Sequence, residues 1–186
     1  GQFEEADLKR LWKEGNLAEY HNEFLALMIK FELCFELPDR SEKKWLAPQL
    51  MSNKQPKYNW ISENNKELHF KYDFLPSGMI SRLIVRLHRF VVRTDLAWRN
   101  GIVLERLGAQ AEIMEIHDDT IRIRVVGEDQ TFRKELLTIF TDEFDQMHKI
   151  FTGLKLYKWV ACNCQSCDKS EDPQLFDYNA LLQRKK

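Results

Sequence analysis

Three of the chain's four cysteines are crowded near the C-terminus in a C-x-C-x2-C run. They are Cys162, Cys164 and Cys167. Thiolates bind zinc well, and structural zinc sites use four nitrogen or sulfur ligands in a tetrahedron. A fourth ligand would have to be Asp168, His148, His117 or a residue beyond Lys186. The spacing therefore indicates either an incomplete zinc site or three reduced thiols on a flexible tail.

A stripe of arginines is the second group that could do chemistry. Its members recur at spacings of four, three and four, which places them on one helix face: Arg82, Arg86, Arg89 and Arg93. Guanidinium groups hold anions bidentately, so the stripe could contact an acidic neighbouring domain, a nucleic acid or a lipid. The alternative is a solvated face partly paired with this chain's own 29 acidic residues.

Trp98 and Arg99 stand just before the turn glycine Gly101. Trp98 either fastens this turn to the core or forms an exposed contact site together with Arg99. Both residues are therefore candidate domain contacts, alongside the arginine stripe.

No enzymatic site is predicted. The five histidines show no HExxH spacing, and the chain contains neither a GxSxG elbow nor a G-x-x-x-x-G-K-[ST] phosphate loop. Asp118 and Asp119 fit a hairpin turn better than a carboxylate pair, and Cys34 fits an apolar core. We therefore expect no catalytic residue and no nucleotide bound by this chain.

Composition narrows the class of protein further. At 186 residues with 44% hydrophobic residues the chain can fill a core, and its net charge of −1 argues against binding nucleic acid or membrane by bulk charge. It has no apolar run long enough to span a bilayer, no signal-peptide pattern and no disulfide framework. We expect a cytoplasmic protein that does not contact membrane.

One helix organises the pattern. Residues 75–92 predict an amphipathic helix with Pro76 at its first position, where a missing N–H costs nothing. Its apolar residues recur at spacings of three and four, as one buried helix face requires. They are Met79, Ile80, Leu83, Ile84, Leu87, Phe90 and Val91.

Residues 1–52 predict two helices followed by short strands, the order of a winged-helix module. The apolar stripe predicted for the second helix is Leu17, Tyr20, Phe24, Leu27, Met28 and Phe31. That helix carries more acidic than basic residues, so nucleic-acid binding is disfavoured.

Residues 53–160 predict an α+β domain. Strands are expected at 68–74, 101–107, 111–117, 120–126 and 156–160, with a second long helix at 132–151. Arg122 and Arg124 should point away from the helices, on a basic strand face. Short connections favour an antiparallel sheet with both helices on one side. Residues 161–186 are left as a tail that carries the cysteines.

Two sequence blocks resemble a known family. FLPSGMISRLIVRLH (residues 74–88) followed by AWRNGIVLE (97–105) is similar to the COR domain of Roco proteins, which lies C-terminal to their Ras-like Roc GTPase. FELCFELPD (31–39) and WLAPQLM (45–51) resemble the preceding COR subdomain. The resemblance implies a winged-helix-like COR-A remnant followed by an α+β COR-B domain.

The resemblance also implies a function. COR links the GTPase to neighbouring modules, supports homodimer formation and has no chemistry of its own. GTP or GDP and Mg²⁺ would belong to an upstream Roc domain acting in cis. A zinc- or nucleic-acid-binding domain is the alternative from a different class.

An interface can be predicted only in outline. A twofold dimer uses one self-complementary patch, and like charges near its axis repel, so the face with Arg122 and Arg124 is a poor centre. The C-terminal half of the second long helix and the last strand are rich in bulky side chains. The predicted interface residues are Phe144, Phe151, Tyr157 and Trp159.

Overall fold

The computed structural model describes residues 1–13, 15–38, 43–60, 65–90, 94–106, 108–117, 119–151, 153–167, 170 and 172–184. Within these residues the chain forms five α-helices and two antiparallel sheets. The predicted α+β class is therefore confirmed.

The N-terminal region is a small three-stranded sheet with two helices. Its elements are β1 (Gln2–Glu4), α1 (Glu5–Leu11), α2 (His21–Lys30), β2 (Phe35–Glu36) and β3 (Lys44–Leu46). The strands pair in the order β1-β3-β2, and the sequence pattern does not predict β1. This region has its own small core, formed by Leu8, Leu25, Cys34, Trp45 and Ala47.

The second helix starts later than its pattern predicts and buries only part of the predicted face. Gly15–Tyr20 is a 3-10 helix, so α2 begins only at His21. Leu27 and Phe31, which the pattern places in the core, are exposed. His21 and Leu25 are buried instead, and the His21 ring hydrogen bonds to Glu5 of α1, while Met28 of the predicted stripe is partly buried against the small core.

The larger sheet has seven strands in the order β10-β9-β4-β8-β7-β6-β5. Its first five strands are β4 (Lys66–Tyr72), β5 (Ala97–Trp98), β6 (Gly101–Arg106), β7 (Ala109–Ile116) and β8 (Thr120–Gly127). The last two are β9 (Leu156–Ala161) and β10 (Leu175–Asp177). The predicted hairpin is confirmed by the pairing of Ile116 with Thr120 between β7 and β8, while Asp118 lies outside the described residues.

Helix α3 (Met79–Arg86) is shorter than the predicted helix. Gly78 precedes it with φ of +81°, a left-handed conformation that glycine adopts without strain. Pro76 is therefore in the turn before the helix and not at its first position. The buried face is nevertheless confirmed, since Leu83 and Leu87 are fully buried, and a 3-10 turn, His88–Phe90, follows.

Helix α4 (Gln130–His148) packs beside α3 on the same side of the sheet. It begins where the Asp129 carboxylate accepts a hydrogen bond from the Thr131 N–H at 2.6 Å, an N-cap. Phe144 lies in the core and stacks on Phe70 of β4, with ring centroids 4.7 Å apart. The two helices and the inner sheet face thus share one hydrophobic core.

The C-terminal segment belongs to the sheet and does not hang from it as a tail. Strand β10 pairs antiparallel with β9, so that Phe176 lies opposite Val160. It leads directly into the short helix α5 (Tyr178–Gln183). Three-residue strands carry little periodic signal, which is why the sequence pattern misses this one.

Candidate functional site

The sheet face away from α3 and α4 borders a cleft of about 1290 Å³. Alternate residues of each strand point to this open face, because successive side chains of a strand alternate between its two sides. The cleft is lined by residues of five strands, β4, β7, β8, β9 and β10, and of the connection before β10. These include Glu67, His69, Arg122, Arg124, Trp159, Cys162 and Cys167.

A buried carboxylate pairs with both arginines of the open face. The Glu112 side chain is 0% exposed, and its oxygens accept hydrogen bonds from Arg124 Nη2 at 2.6 Å and Nε at 2.8 Å. Arg122 Nη2 donates to the same carboxylate at 3.2 Å, and the Tyr58 hydroxyl donates to it as well. The predicted outward direction of both arginines holds, but the face they form is not a free basic surface.

The titration of Glu112 follows from these partners. Burial raises the pKa of this carboxyl, but the hydrogen bonds and charge of Arg124, the hydrogen bond from Tyr58 and the charge of Arg122 together outweigh burial and hold the pKa below its usual value. Burial beside the charged carboxylate also raises the pKa of Tyr58. At neutral pH the cluster is therefore an anion with two cations and a neutral phenol.

The segment between the two sheets covers part of the open face. Trp60 lies under the Arg124 guanidinium, which is 4.8 Å from the ring centroid, and Tyr58 stacks on Trp98. Trp98 is buried against Gly101, where an added Cβ would come within 2.3 Å of the indole ring. Trp98 therefore fastens the turn to the core and is not an exposed contact, whereas Arg99 is exposed.

The arginine stripe is engaged within the chain. Arg86 donates to Glu143 at 3.1 Å and to Glu32 at 2.9 Å, so it connects α4 with the end of α2. Arg82 Nε lies 3.5 Å from Glu32, and Arg89 Nη2 lies 3.0 Å from Glu143. These three arginines are thus paired with acids of this chain, and Arg89 stays 60% exposed, while Arg93 lies outside the described residues.

The three C-terminal cysteines come together in space. Their sulfur atoms all lie within 4.8 Å of one another, in the connection between β9 and β10. The Cys164 thiol is 3.2 Å from the Ser166 hydroxyl, and hydrogen bonds from Ser166 and Cys162 lower its pKa to about 6. The sequence pattern thus identifies a real cluster of thiols.

The residues predicted as a fourth zinc ligand do not join the described cluster. His148 is on the helix side of the sheet, where its Nε2 is 2.6 Å from the Tyr72 hydroxyl, so it cannot reach the cysteines. His117 lines the cleft but is not part of the cysteine cluster, and Asp168 lies outside the described residues. Among the described His, Cys, Asp and Glu residues, the cluster contains only the three thiols.

The four predicted interface residues do not form one surface. Phe144 is fully buried against Phe70, so its ring is not available to a partner. Phe151 is half-buried at the end of the α4 region, on the helix side. Tyr157 and Trp159 belong to the opposite, open face, because Lys158 between them pairs with Asp145 of α4.

An apolar patch that the sequence pattern missed borders Phe151. Phe74 and Ile150 are 66% and 53% exposed, and with Phe151 they line a second cleft of about 500 Å³. The alternation of β4 predicts that Phe74 is buried, but the strand ends at Tyr72 and the chain turns away. Only the position of a strand end, which pattern analysis fixes poorly, could have revealed this patch.

Comparisons with known proteins agree with this architecture. The family model for the COR-A domain, C-terminal of Roc, matches residues 1–51, and the COR-B model of the same family matches residues 63–186. "Probable serine/threonine-protein kinase pats1" of Dictyostelium discoideum is 30% identical over 118 residues, 56% of this chain and 4% of that protein. "Probable serine/threonine-protein kinase roco5" of the same organism is 24% identical over 150 residues, 74% of this chain and 5% of that protein.

These matches cover this chain broadly and the relatives narrowly, since the chain spans only 4% to 5% of their length. COR is a non-catalytic part of Roco proteins, which agrees with the expectation of no active site. Within the described residues, every helix is too short or too polar to cross a membrane. The COR-B match alone covers more than half of the sequence, and the chain belongs to the COR family found C-terminal of Roc.

Proposed function

We propose that this chain is a non-catalytic dimerisation and interaction module of a Roco protein, which couples an upstream Roc GTPase domain in cis to dimer formation. In this proposal GTP or GDP and Mg²⁺ bind in the Roc domain. The observation that carries the proposal is the ionic bridge from Glu32 through Arg86 to Glu143, because it joins the COR-A region to the COR-B domain.

The bridge is built at a cost to the backbone. Glu32 lies two residues after the end of α2 with φ of +57°, a left-handed conformation that glycine adopts most easily. A glycine there would remove the strain, but it would also remove the carboxylate that Arg82 and Arg86 contact. A glutamate at this position makes sense if a rigid connection between the two regions matters to the protein.

Apolar packing supports the same connection. Phe35 of the small sheet is buried in the main core, where it stacks on His88 after α3 at a centroid distance of 5.2 Å. Leu37 and Leu46 from the same region also join that core. A displacement of the COR-A region by a Roc domain would therefore be passed to α3 and α4.

For the dimer contact we propose the patch formed by Phe74, Ile150 and Phe151. Its rim carries both Asp73 and Lys155, whose charged atoms are 3.7 Å apart within one chain. A twofold contact brings the same patch of two copies together, so that acid and base of one copy can face base and acid of the other. Tyr157 and Trp159, predicted for the same dimer interface, lie on the opposite face of the sheet and are not part of this patch.

The coupling is tested in a protein that contains both Roc and this region. Its dimer dissociation constant is measured by analytical ultracentrifugation with GDP and with a non-hydrolysable GTP analogue. We expect Arg86→Ala to reduce the difference between the two nucleotide states. The control Arg10→Ala removes an exposed arginine paired with Asp7 and should leave that difference unchanged. Equal behaviour of both variants would contradict the coupling.

The dimer contact is tested separately in the same protein. Ile150→Asp and Phe151→Asp should weaken the dimer, since each would place a charge without a partner in an apolar contact. Leu182→Asp is a matched control, because Leu182 of α5 is 48% exposed and lies outside the patch. A dimer that resists both patch variants would rule out this surface.

A further inference from the structure

The three-cysteine cluster lies in a connection between two strands, where a bound metal would constrain the backbone. Strand β9 ends at Ala161 and β10 begins at Leu175, so the cluster belongs to their connection. The Cys162 N–H donates to the Gln174 carbonyl at 2.8 Å, which ties the two ends of this connection together. The Cys167 N–H donates to the Cys164 carbonyl at 2.9 Å and closes a tight turn between those two cysteines.

The turn gives the thiols a spacing close to that of ligands on one ion. Zinc–sulfur bonds of about 2.3 Å in a tetrahedron separate neighbouring sulfurs by about 3.8 Å. Sulfurs within 4.8 Å of one another need only side-chain rotation to reach that spacing. The sequence spacing and the backbone turn thus bring the same three thiols together.

The surroundings of the cluster also suit a metal. Cys162 and Cys167 are half-buried at the edge of the open-face cleft, whereas Cys164 is exposed and accessible to an incoming ion. Three thiolates select a soft or borderline cation such as zinc over magnesium or calcium. The fourth ligand of a tetrahedral ion would come from solvent, which reaches the exposed Cys164 side of the cluster.

We propose that Cys162, Cys164 and Cys167 form a zinc site that fastens the β9–β10 connection and holds β10 and α5 on the edge of the sheet. The site is independent of the dimer contact and of the bridge at Arg86. Zinc that binds the folded chain stabilises it according to its affinity. Because the main core contains none of the three cysteines, loss of the cluster loosens the C-terminal edge and leaves the rest of the domain folded.

The test measures zinc in the purified 186-residue chain by elemental analysis, after gel filtration in a reducing buffer. We expect about one zinc ion per chain, and a loss of zinc affinity of roughly tenfold or more when any one of the three cysteines is replaced by alanine, since even the loss of an outer partner of a ligand costs about that much. Cys34→Ala is the matched control, since Cys34 is buried in the small N-terminal core and should not affect zinc content. Substitution by Co²⁺ should produce thiolate-to-cobalt charge-transfer absorption that the three variants lose.

Hydrogen exchange distinguishes metal binding from a merely structural role of the thiols. Removal of zinc from the unmodified chain by a chelator should raise the hydrogen-exchange rates of the β10 amides as much as Cys164→Ala does. The exchange rates of the β7 and β8 amides should not change. Absence of zinc from a chain produced in zinc-supplemented medium would overturn the proposal. So would zinc that persists in all three alanine variants, or a disulfide between two of these cysteines with no zinc uptake after reduction.

Discussion

The two faces of the seven-stranded sheet are stabilised by different kinds of interaction. The inner face is covered by α3 and α4 through aromatic and aliphatic packing around Phe144 and Leu83. The outer face instead has a buried carboxylate, Glu112, clamped by two arginines and a tyrosine. The comparison shows why the number of arginines in the sequence is a poor guide to free positive charge. A cation whose partner lies in another strand or helix contributes to the structure and offers nothing to a remote anion.

The largest effect is expected on the inner face. Phe144→Ala would remove a fully buried ring stacked on Phe70 and leave a cavity, so the free energy of unfolding should fall by about 3 to 5 kcal/mol. Leu83→Ala should cost about 2 to 5 kcal/mol for the same reason. Urea denaturation measures both changes. A loss below about 1 kcal/mol for either variant would mean that the packing is not as described.

The outer face should respond almost as strongly to a single charge. Glu112→Ala would leave Arg122, Arg124 and the Tyr58 hydroxyl without their shared acceptor, and we expect a loss of about 2 to 3 kcal/mol. The arginine side chains keep about a fifth of their surface exposed, which places this loss below that of a fully buried pair. Urea denaturation of Glu112→Ala and of the exposed-pair control Arg10→Ala provides the comparison.

Low pH should reduce the stability that the outer face contributes through Glu112. The pKa of Glu112 is lower in the folded chain than its ordinary value of 4.5. Its stabilising contribution is therefore complete above pH 4.5 and is lost as the pH falls through the lowered pKa. Glu112→Gln, which cannot ionise, should flatten this part of the stability profile. A profile as steep in Glu112→Gln as in the unmodified chain would assign the acid sensitivity to other carboxylates.

The smallest of these effects is expected for Arg86→Ala, which would disconnect Glu32 and Glu143. The sequence pattern predicts that Arg86→Ala costs much less than Leu83→Ala, and the contacts of Arg86 place its cost at about 1 to 2 kcal/mol. Partial solvent exposure of both carboxylates keeps the loss below that of Glu112→Ala. High salt should reduce the difference between Arg86→Ala and the unmodified chain, and urea denaturation in two salt concentrations measures it.

Local periodicity explains how much of the fold was predictable. The strands at 101–106, 109–116 and 120–127 and the buried face of α3 follow from alternation and from three-and-four spacing, which local sequence encodes. Helix starts were less predictable. Pro76 is a plausible first helical residue, yet the left-handed Gly78 delays the helix to Met79. The exposure of Leu27 and Phe31 in the predicted stripe of α2 shows the same limit, since only its packing partner decides which apolar residues are buried.

The candidate sites were predictable in proportion to how local they are. The cysteine cluster is encoded within six residues, and the sequence identifies all of its described members. The partners of Arg86 are separated from it by 54 and 57 residues, so no spacing rule could name Glu32 or Glu143. The burial of Phe144 likewise depends on a strand more than seventy residues away. Long-range pairing decides whether an aromatic or charged residue is available to a partner.

Strand β10 also has a consequence for solubility. The edge of a sheet presents unpaired N–H and C=O groups, which can template pairing with another chain and lead to aggregation. At one edge of this sheet β5 is only two residues long. At the other edge β10 shields β9, whose six residues are rich in β-forming side chains and include a single charge, at Lys158. A chain truncated after Ala161 would lose β10, so Leu175–Asp177 protect the sheet against edge-to-edge association.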